Sequence, residues 1–593
     1  MRGASGAAGV GPSGAPGAAR GAPAVGLDAV SVRYPGRRDA ALSVSVDVAA
    51  GEMVGVAGRT GAGKSTLALL AGGFIPRVVR AHVAGAVRID GLDGLTAHGS
   101  ELAGRVGIVF STPANQLSAS KLTVREELAF GLENLAVPRP QMDPRIDEIL
   151  DRLAIAHLAD RDPFTLSGGE QQRVAIASIL VMGTSVLVLD EPVAQLDPAG
   201  SRGVAALLRR LAGEGRAIIC AEHDSSVLSV ADRCLVLESG RAVSLDRPGV
   251  ALGSAVQVPI GLTPPTLVAL AELAGVPPDL AFDEEAVATA LVRLRGAPIA
   301  SSPALAPASI DWAPLRREPT PRIVARGLVH CYPGGPDVLR GIDLTVEPGE
   351  SVAIVGQNGS GKTTLAKHLN GLLRPGAGSV EIDGRNIGSD AVGSIARTVG
   401  FVFQNPDDQL FNRSVEREVS FGAHNIGLDG RLARELVDRA LELAGLSNVR
   451  QVNPYDLGLS MRKLVALASV LAMEPAVLVL DEPTTGQDGP GVARIGAIVE
   501  AYRRAGRTVI SITHDMEFAA AHFGRVVVMR SGEVIADGAP PHILVAGNSA
   551  LLASTGLEPP ISARIGARLG LSGTSTLGAL MEALTPAAGP RQT

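Results

Sequence analysis

The sequence predicts an α/β fold written twice in one chain of 593 residues, on three observations. GRTGAGKST at Gly58–Thr66 returns as GQNGSGKTT at Gly356–Thr364, setting Lys64 and Lys362 298 residues apart. Each run follows an apolar stretch and opens a helix-compatible segment, the context in which GxxxxGK[ST] cradles phosphates. VLVLDEP recurs at 186–192 and 477–483, a short apolar run ending in carboxylates. The order in each copy is strand, Gly-rich turn, helix, helical middle, the VLVLDEP strand, helix, and strand again (AIICAEH and TVISITH). That alternation predicts a largely parallel sheet. The expectation is two tandem P-loop NTPase domains, each with a helical subdomain and a small C-terminal extension.

Residues 1–24 are rich in Ala, Gly, Pro and Ser without the apolar run of a signal peptide, and are expected to be a disordered lead. Residues 25–245 form the first nucleotide-binding domain in this reading and 321–545 the second. VRYP at 32–35 pairs with HCYP at 330–333, and GIVFSTPANQL at 107–117 with GFVFQNPDDQL at 400–410. GLTPP at 261–265 and GLEPP at 556–560 each precede a short periodic apolar segment, so 246–300 and 546–593 are expected to be matching extensions. Residues 301–320 are Pro-, Ala- and Ser-rich without periodicity and suit an exposed linker.

With 46% hydrophobic and 19% charged residues, the chain is neither a disordered polyelectrolyte nor a disulfide miniprotein. A net charge of -6 and a pI near 6.0 give no global pull toward nucleic acid or anionic lipid. The isolated Cys220, Cys234 and Cys331 fit neither a disulfide framework nor a zinc site, and a reducing compartment suits them. The longest uncharged stretch, Val250 to Ala271, is interrupted by Pro259, Pro264 and Pro265, so no spanning helix is expected.

Gly58, Gly61 and Gly63, with Gly356, Gly359 and Gly361, let the backbone wrap phosphates at a helix N-terminus, where Thr66 and Thr364 follow. Lys64 and Lys362 are candidates for the β- and γ-phosphates, and Ser65 and Thr363 for Mg²⁺. Asp190–Glu191 and Asp481–Glu482 stand where a buried strand ends. The aspartates suit a hold on Mg²⁺ and the glutamates suit polarising an attacking water. His223 and His514 each follow the glutamate by 32 residues and are candidate γ-phosphate contacts. Tyr34 and Tyr332 precede the phosphate loops and are candidates to stack on adenine, with packing as the other reading.

LSGGEQQR at 166–173 is the run by which nearly the whole chain resembles the ATP-binding cassette (ABC) ATPases. The resemblance implies a sandwich of two cassettes, here within one chain. Each ATP would lie between the phosphate loop of one and the signature Ser-Gly-Gly of the other, here Ser167, Gly168 and Gly169. VFQNPDDQLF at 402–411 with EREVSFGAHNIG at 416–427 narrows the likeness to the ATPases of energy-coupling-factor (ECF) transporters, cobalt-type relatives included. That resemblance implies peripheral association with the cytoplasmic face of the membrane, through a transmembrane coupling protein and a small substrate-binding membrane protein. The cargo would be a vitamin or a transition-metal ion. It also implies that Gln404 acts at Mg²⁺ and the attacking water.

The halves depart from the pattern unequally. PYDLGLSMRKLVALA at 454–468 replaces the signature, with Gly458 in the place of Ser167 and Leu459 and Ser460 in the places of the two glycines. In the first half Ser111 holds the position of Gln404. In the family's sandwich both losses fall on the site of the first phosphate loop. The other site keeps Lys362, Thr363, Gln404, Asp481, Glu482 and His514 with Ser167, Gly168 and Gly169. The expectation is one competent hydrolytic site and one slow site that retains Glu191 and His223.

A soluble tandem ABC ATPase acting on ribosomes or DNA is the alternative. A long charged arm between cassettes or paired cysteines would mark it, and the chain has neither. Fused sugar-import ATPases are nearer, but VFQNPDDQ does not resemble their usual form. An ATP-gated scaffold without turnover would not need the intact second site.

Overall fold

The computed structural model describes residues 23–113, 116–194, 196–294, 322–428 and 430–584. Most of the expected lead and all of the expected linker lie outside them. In the first half the strands are β1 Val25–Arg33, β2 Leu42–Val48, β3 Met53–Gly58, β4 His82–Ile89, β5 Leu92–Asp93, β6 Val106–Val109, β7 Val186–Asp190, β8 Ala217–Ala221, β9 Arg233–Glu238 and β10 Arg241–Asp246. They form one sheet in the order β5-β4-β1-β2-β10-β9-β3-β8-β7-β6. The expectation of a largely parallel sheet needs correction. β6, β7, β8, β3 and β9 pair in parallel, and β10 meets β2 in parallel, while β1 pairs antiparallel with β2 and β4, and β10 with β9.

The physical reason is visible in the side chains. β7 and β8 are buried along their full length, as strands covered on both faces must be. β2, LSVSVDV, alternates buried and exposed residues throughout, the mark of a strand with one face outside the core.

The second half repeats the plan. Its strands are β11 Ile323–Cys331, β12 Asp337–Val346, β13 Ser351–Val355, β14 Ala377–Ile382, β15 Arg385–Asn386, β16 Val399–Val402, β17 Val477–Asp481, β18 Thr508–Ile512, β19 Arg525–Arg530 and β20 Glu533–Gly538. The antiparallel group, β12-β11-β14-β15, is separate here from the six-stranded sheet β16-β17-β18-β13-β19-β20. The helical middles Val124–Asn134 with Arg139–Arg152, and Val415–Asn425 with Gly430–Leu443, pack on the helices Gly168–Leu180 and Leu459–Leu471.

The two extensions meet. Helices Thr266–Leu273 and Glu284–Val292 of the first share one apolar cluster with Ile561–Arg568 and Leu577–Leu584 of the second. Val287, Leu291, Ile565 and Leu580 are fully buried in it. Ion pairs flank this joint: Arg202 to Glu558 at 2.8 Å, and Arg564 to Glu284 at 2.5 Å and to Glu558 at 2.7 Å.

Nearby, Glu517 accepts a hydrogen bond from the Ile561 amide at 2.7 Å, and burial, reinforced by Asp515, pushes its carboxyl up to about 7. A carboxyl raised in the fold holds a proton that the unfolded chain releases. Its contribution to stability is present below the ordinary glutamate range and is lost as pH rises through 7. Glu517→Gln keeps an oxygen acceptor and removes the charge. The variant is expected to melt above the parent at pH 8, with a smaller difference between pH 5.5 and pH 8 than the parent shows. An unchanged difference in melting temperature would count against this account.

Candidate functional site

Each phosphate loop joins a buried parallel strand to a helix. β3 leads to the helix Lys64–Ala71 and β13 to Lys362–Leu369. Gly63 and Gly361, at the N-caps, have φ of 104° and 99°. A Cβ at Gly63 would lie 2.8 Å from the Ala41 carbonyl oxygen, so geometry and space both demand glycine. The lysines bond their own loops. Lys64 Nζ donates to the carbonyls of Gly58 (2.9 Å) and Arg59 (3.2 Å), and Lys362 Nζ to those of Gly356 (2.7 Å) and Gln357 (2.9 Å). Burial lowers both ammonium groups, against the pull of Glu191 and Asp190 on Lys64 and of Glu482 and Asp481 on Lys362. Each lysine also feels an aspartate of the other half, Asp488 for Lys64 and Asp197 for Lys362.

Asp190 and Asp481 end the buried strands β7 and β17. Burial, with the adjacent Glu191 or Glu482, pushes each up to about 6. Thr363 Oγ1 donates to Asp481, lying 3.0 and 3.2 Å from its two oxygens, and Ser65 bonds Asp190, whose Oδ1 has no protein partner. Hydroxyl and carboxylate oxygens converging beside a phosphate loop are the donor set that suits Mg²⁺.

Glu191 and Glu482 follow at φ of 52° and 49°, left-handed values that side chains resist. His514 Nδ1 lies 2.9 Å from Glu482 Oε2, whereas in the first half His223 Nε2 lies 3.5 Å from Glu191 Oε1. Burial alone would raise Glu482, but the charges of His514, Lys362 and Lys463 outweigh it and hold the carboxyl below its ordinary range. His514 is raised in return: the Glu482 carboxylate overcomes its burial.

The tyrosines reach the phosphate loops through their hydroxyls. Tyr34 Oη lies 3.1 Å from Thr66 Oγ1 and Tyr332 Oη 3.2 Å from Thr364 Oγ1. Ser167 caps the helix Gly168–Leu180, and its hydroxyl donates to Glu170 at 2.7 Å. Gly168 and Gly169 form the first turn of that helix. Gly458 caps Leu459–Leu471 with no side chain, and a Cβ built on it would sit 3.8 Å from Thr60 of the first phosphate loop. Gln404 is exposed just beyond β16, and Ser111 holds the matching place beyond β6.

Several residues at the site escaped the sequence reading. The Thr60 amide donates to Asp488 Oδ2 at 2.8 Å, across 428 positions and between the halves. Glu222 accepts from the amides of Val193, His223 and Asp224, and burial pushes its carboxyl up to about 8. Lys463 Nζ donates to the Glu482 carbonyl at 2.9 Å, and burial takes its ammonium down to about 8. Both stand where the copies differ, Glu222 opposite Thr513 and Lys463 opposite Gln172, and a position-by-position comparison of the repeat would have flagged them. Gln409 and Gln116 brace the chain locally, accepting from the Phe403 and Phe110 amides and donating to the Ala466 and Ala175 carbonyls. A cavity of about 600 Å³ lies between the halves, lined by Glu191, His223 and Glu222 from one and His514, Gln487 and Glu517 from the other.

Among the described residues no helix is long and apolar enough to cross a membrane. The family model described as "ABC transporter" matches residues 42–194 and 339–485. A relative from Methanosarcina acetivorans bearing the name "Putative ABC transporter ATP-binding protein" is 38% identical over 560 residues, covering 92% of this chain and 90% of its own. One from Streptomyces coelicolor, similarly named, is 35% identical and covers 88% and 94%. The solved structure of cbiO1 from Clostridium perfringens, titled as part of the ABC transporter complex cbiONQ, is 36% identical. It aligns with 42% of this chain and 99% of its own, with a TM-score of 0.36. Matched in both halves by the family model and along most of its length by relatives, the chain belongs to the ABC transporter family, as an ATP-binding subunit with two ATPase cassettes.

Proposed function

We propose that the chain is the ATP-hydrolysing subunit of an ECF-type importer for a vitamin or a transition-metal ion. In this reading it works at the cytoplasmic face with a transmembrane coupling protein and a small substrate-binding membrane protein. Cassettes at 25–245 and 321–545 close on each other within the chain, and the extensions at 246–300 and 546–593 hold them together. The observation that carries the importer reading is the run 402–411 with 416–427, which resembles ECF ATPases. It carries an exposed aromatic pair, Phe411 and Phe421, with ring centroids 4.6 Å apart. Tyr455, also exposed, donates to the Leu410 carbonyl at 2.6 Å and extends this apolar surface for a membrane partner.

The hydrolytic sites are composite and unequal. At the second phosphate loop, Lys362 and the loop amides bind the phosphates. Ser167, Gly168 and Gly169 complete the cage on closure, and Glu482, oriented by His514, takes a proton from the attacking water. Thr363 and Asp481, with Gln404, would hold Mg²⁺, and Ser65 and Asp190 would do so at the first site. Such an ion, when bound, would supply neutralisation of charge on the phosphates. At the first phosphate loop, Gly458 offers no hydroxyl and Ser111 no long amide. Thr60 meeting Asp488 supports a sandwich within the chain, because each phosphate loop then faces the other half.

The test is purification of the tagged chain from detergent-solubilised membranes. Recovery of a coupling membrane protein and a small multispanning binder is the expected result. Recovery of ribosomes or DNA-associated proteins, with the chain absent from membranes, would overturn the transport reading. Phe421→Asp puts a charge on the apolar surface and is expected to lower recovery of the coupling protein at least about tenfold, the scale of an interface hot spot. ATP turnover by the isolated chain should be unaffected. Undiminished recovery would exclude this face as the docking surface.

A further inference from the structure

The second signature run lost its serine and two glycines, yet what replaced them is bonded inward. Ser460 Oγ lies 2.8 Å from Gln487 Oε1 as donor, and Gln487 Nε2 returns a bond to the Ser460 carbonyl at 3.0 Å. Asp488, the next residue, accepts from the Thr60 amide of the first phosphate loop at 2.8 Å. Five residues along the helix from Gly458, roughly 7.5 Å at 1.5 Å per residue, Lys463 donates to the carbonyl of Glu482. Ser460, Gln487, Asp488 and Lys463 are all buried.

In the first half Gly169, Leu196 and Gln172 stand in the places of Ser460, Gln487 and Lys463. Gly169 and Leu196 have no side-chain donor, and Gln172 Nε2 has no hydrogen-bond partner. The Glu191 carbonyl accepts instead from Ala194, at 3.3 Å. A set of polar contacts therefore runs from one site toward the other in the second half, and no counterpart is found among the described residues of the first half.

We propose that the altered signature helix Leu459–Leu471 is a relay, in which Asp488, Gln487, Ser460 and Lys463 carry the state of the first phosphate loop to the backbone of Glu482. Lys463 is a positioning residue: it holds the Glu482 carbonyl, and with it a main chain in a left-handed conformation that surrounding contacts must maintain. A helix moves as a unit, so displacement of its N-terminus at Thr60 displaces the Lys463 ammonium. The slow site thereby acts as a regulatory site for the competent one. This inference rests on the reading that Glu482 serves hydrolysis at the second site.

A double-mutant cycle tests it. Asp488→Asn keeps the Oδ1 that caps the following helix at the Gly491 amide and removes the acceptor for Thr60. Lys463→Gln installs the first-half residue. Each is expected to lower kcat about tenfold with KM for ATP within about twofold, as loss of one charge-assisted bond acting on the chemical step predicts. The double variant should turn over no more slowly than the slower single, since both cut one path. Ser460→Ala removes no buried charge and should also be non-additive with Asp488→Asn, which keeps the test intact if Lys463→Gln folds poorly. Multiplying losses, or parental kcat in Lys463→Gln beside an inactive Glu482→Gln, would overturn the relay. Parental turnover in Glu482→Gln would instead overturn the reading of the site itself.

Discussion

Glu482→Gln is expected to lower steady-state ATP turnover of the assembled complex at least about a hundredfold, while Glu191→Gln costs no more than about threefold. Both residues end equivalent buried strands, share a left-handed backbone and stand beside a histidine. What separates them is the rest of each composite site. If a charge-assisted hydrogen bond is worth about 1.5–3 kcal/mol, losing one or both of the signature hydroxyl and the Gln404-type amide slows the first site by about ten- to a thousandfold. A glutamate at a site already that slow contributes little to the steady state. The local charges do not separate the two glutamates, since His223 and Lys64 hold the Glu191 carboxyl below its ordinary range against its burial as well. His514, Lys362 and Lys463 hold Glu482 ionised despite its burial, the state a proton acceptor needs. Both variants should still bind ATP, because neither touches the phosphate loop. Equal losses would refute the asymmetry.

The sequence was most legible where chemistry is local in the chain. The phosphate loops, the two DEP strands and the histidines 32 residues beyond each glutamate are short patterns with fixed spacing, and the folded chain brings Glu482 to His514 and Thr363 to Asp481. The substituted signature was legible by comparison with the first copy. Its consequences were not, because Ser460 reads as a loss and Lys463 as an ordinary helix residue until their partners on a distant loop and strand are known. The contact of Thr60 with Asp488 spans 428 positions and carries no periodicity. The antiparallel strands were missed for another reason. Fully buried runs point to the parallel core, although the strict alternation of LSVSVDV at 42–48 is a two-faced strand signal that needs no structure to read. The joint between the extensions lay beyond reach, since two short apolar helices look alike whether each packs on its own half or on the other.

That joint sets the second large effect. Ile565→Asp is expected to destabilise the union of the two extensions by about 5 kcal/mol, combining loss of a buried isoleucine with an unpaired buried carboxyl. Ile565 is fully buried in a cluster to which both halves contribute. The flanking ion pairs cannot replace it, because Arg564 and Glu558 are partly exposed and such pairs are individually weak. The halves remain one chain, so the tether still confines them at an effective concentration on the order of millimolar. Closure is then weakened without being abolished. Turnover should fall about tenfold, the more so at low ATP, and the molecule should expand in small-angle scattering. Ile565→Leu, which conserves volume and apolarity, should restore both readings. If Ile565→Asp keeps parental dimensions and turnover, the extensions do not hold the cassettes together, and the burden of closure passes to the contacts around Thr60 and Asp488.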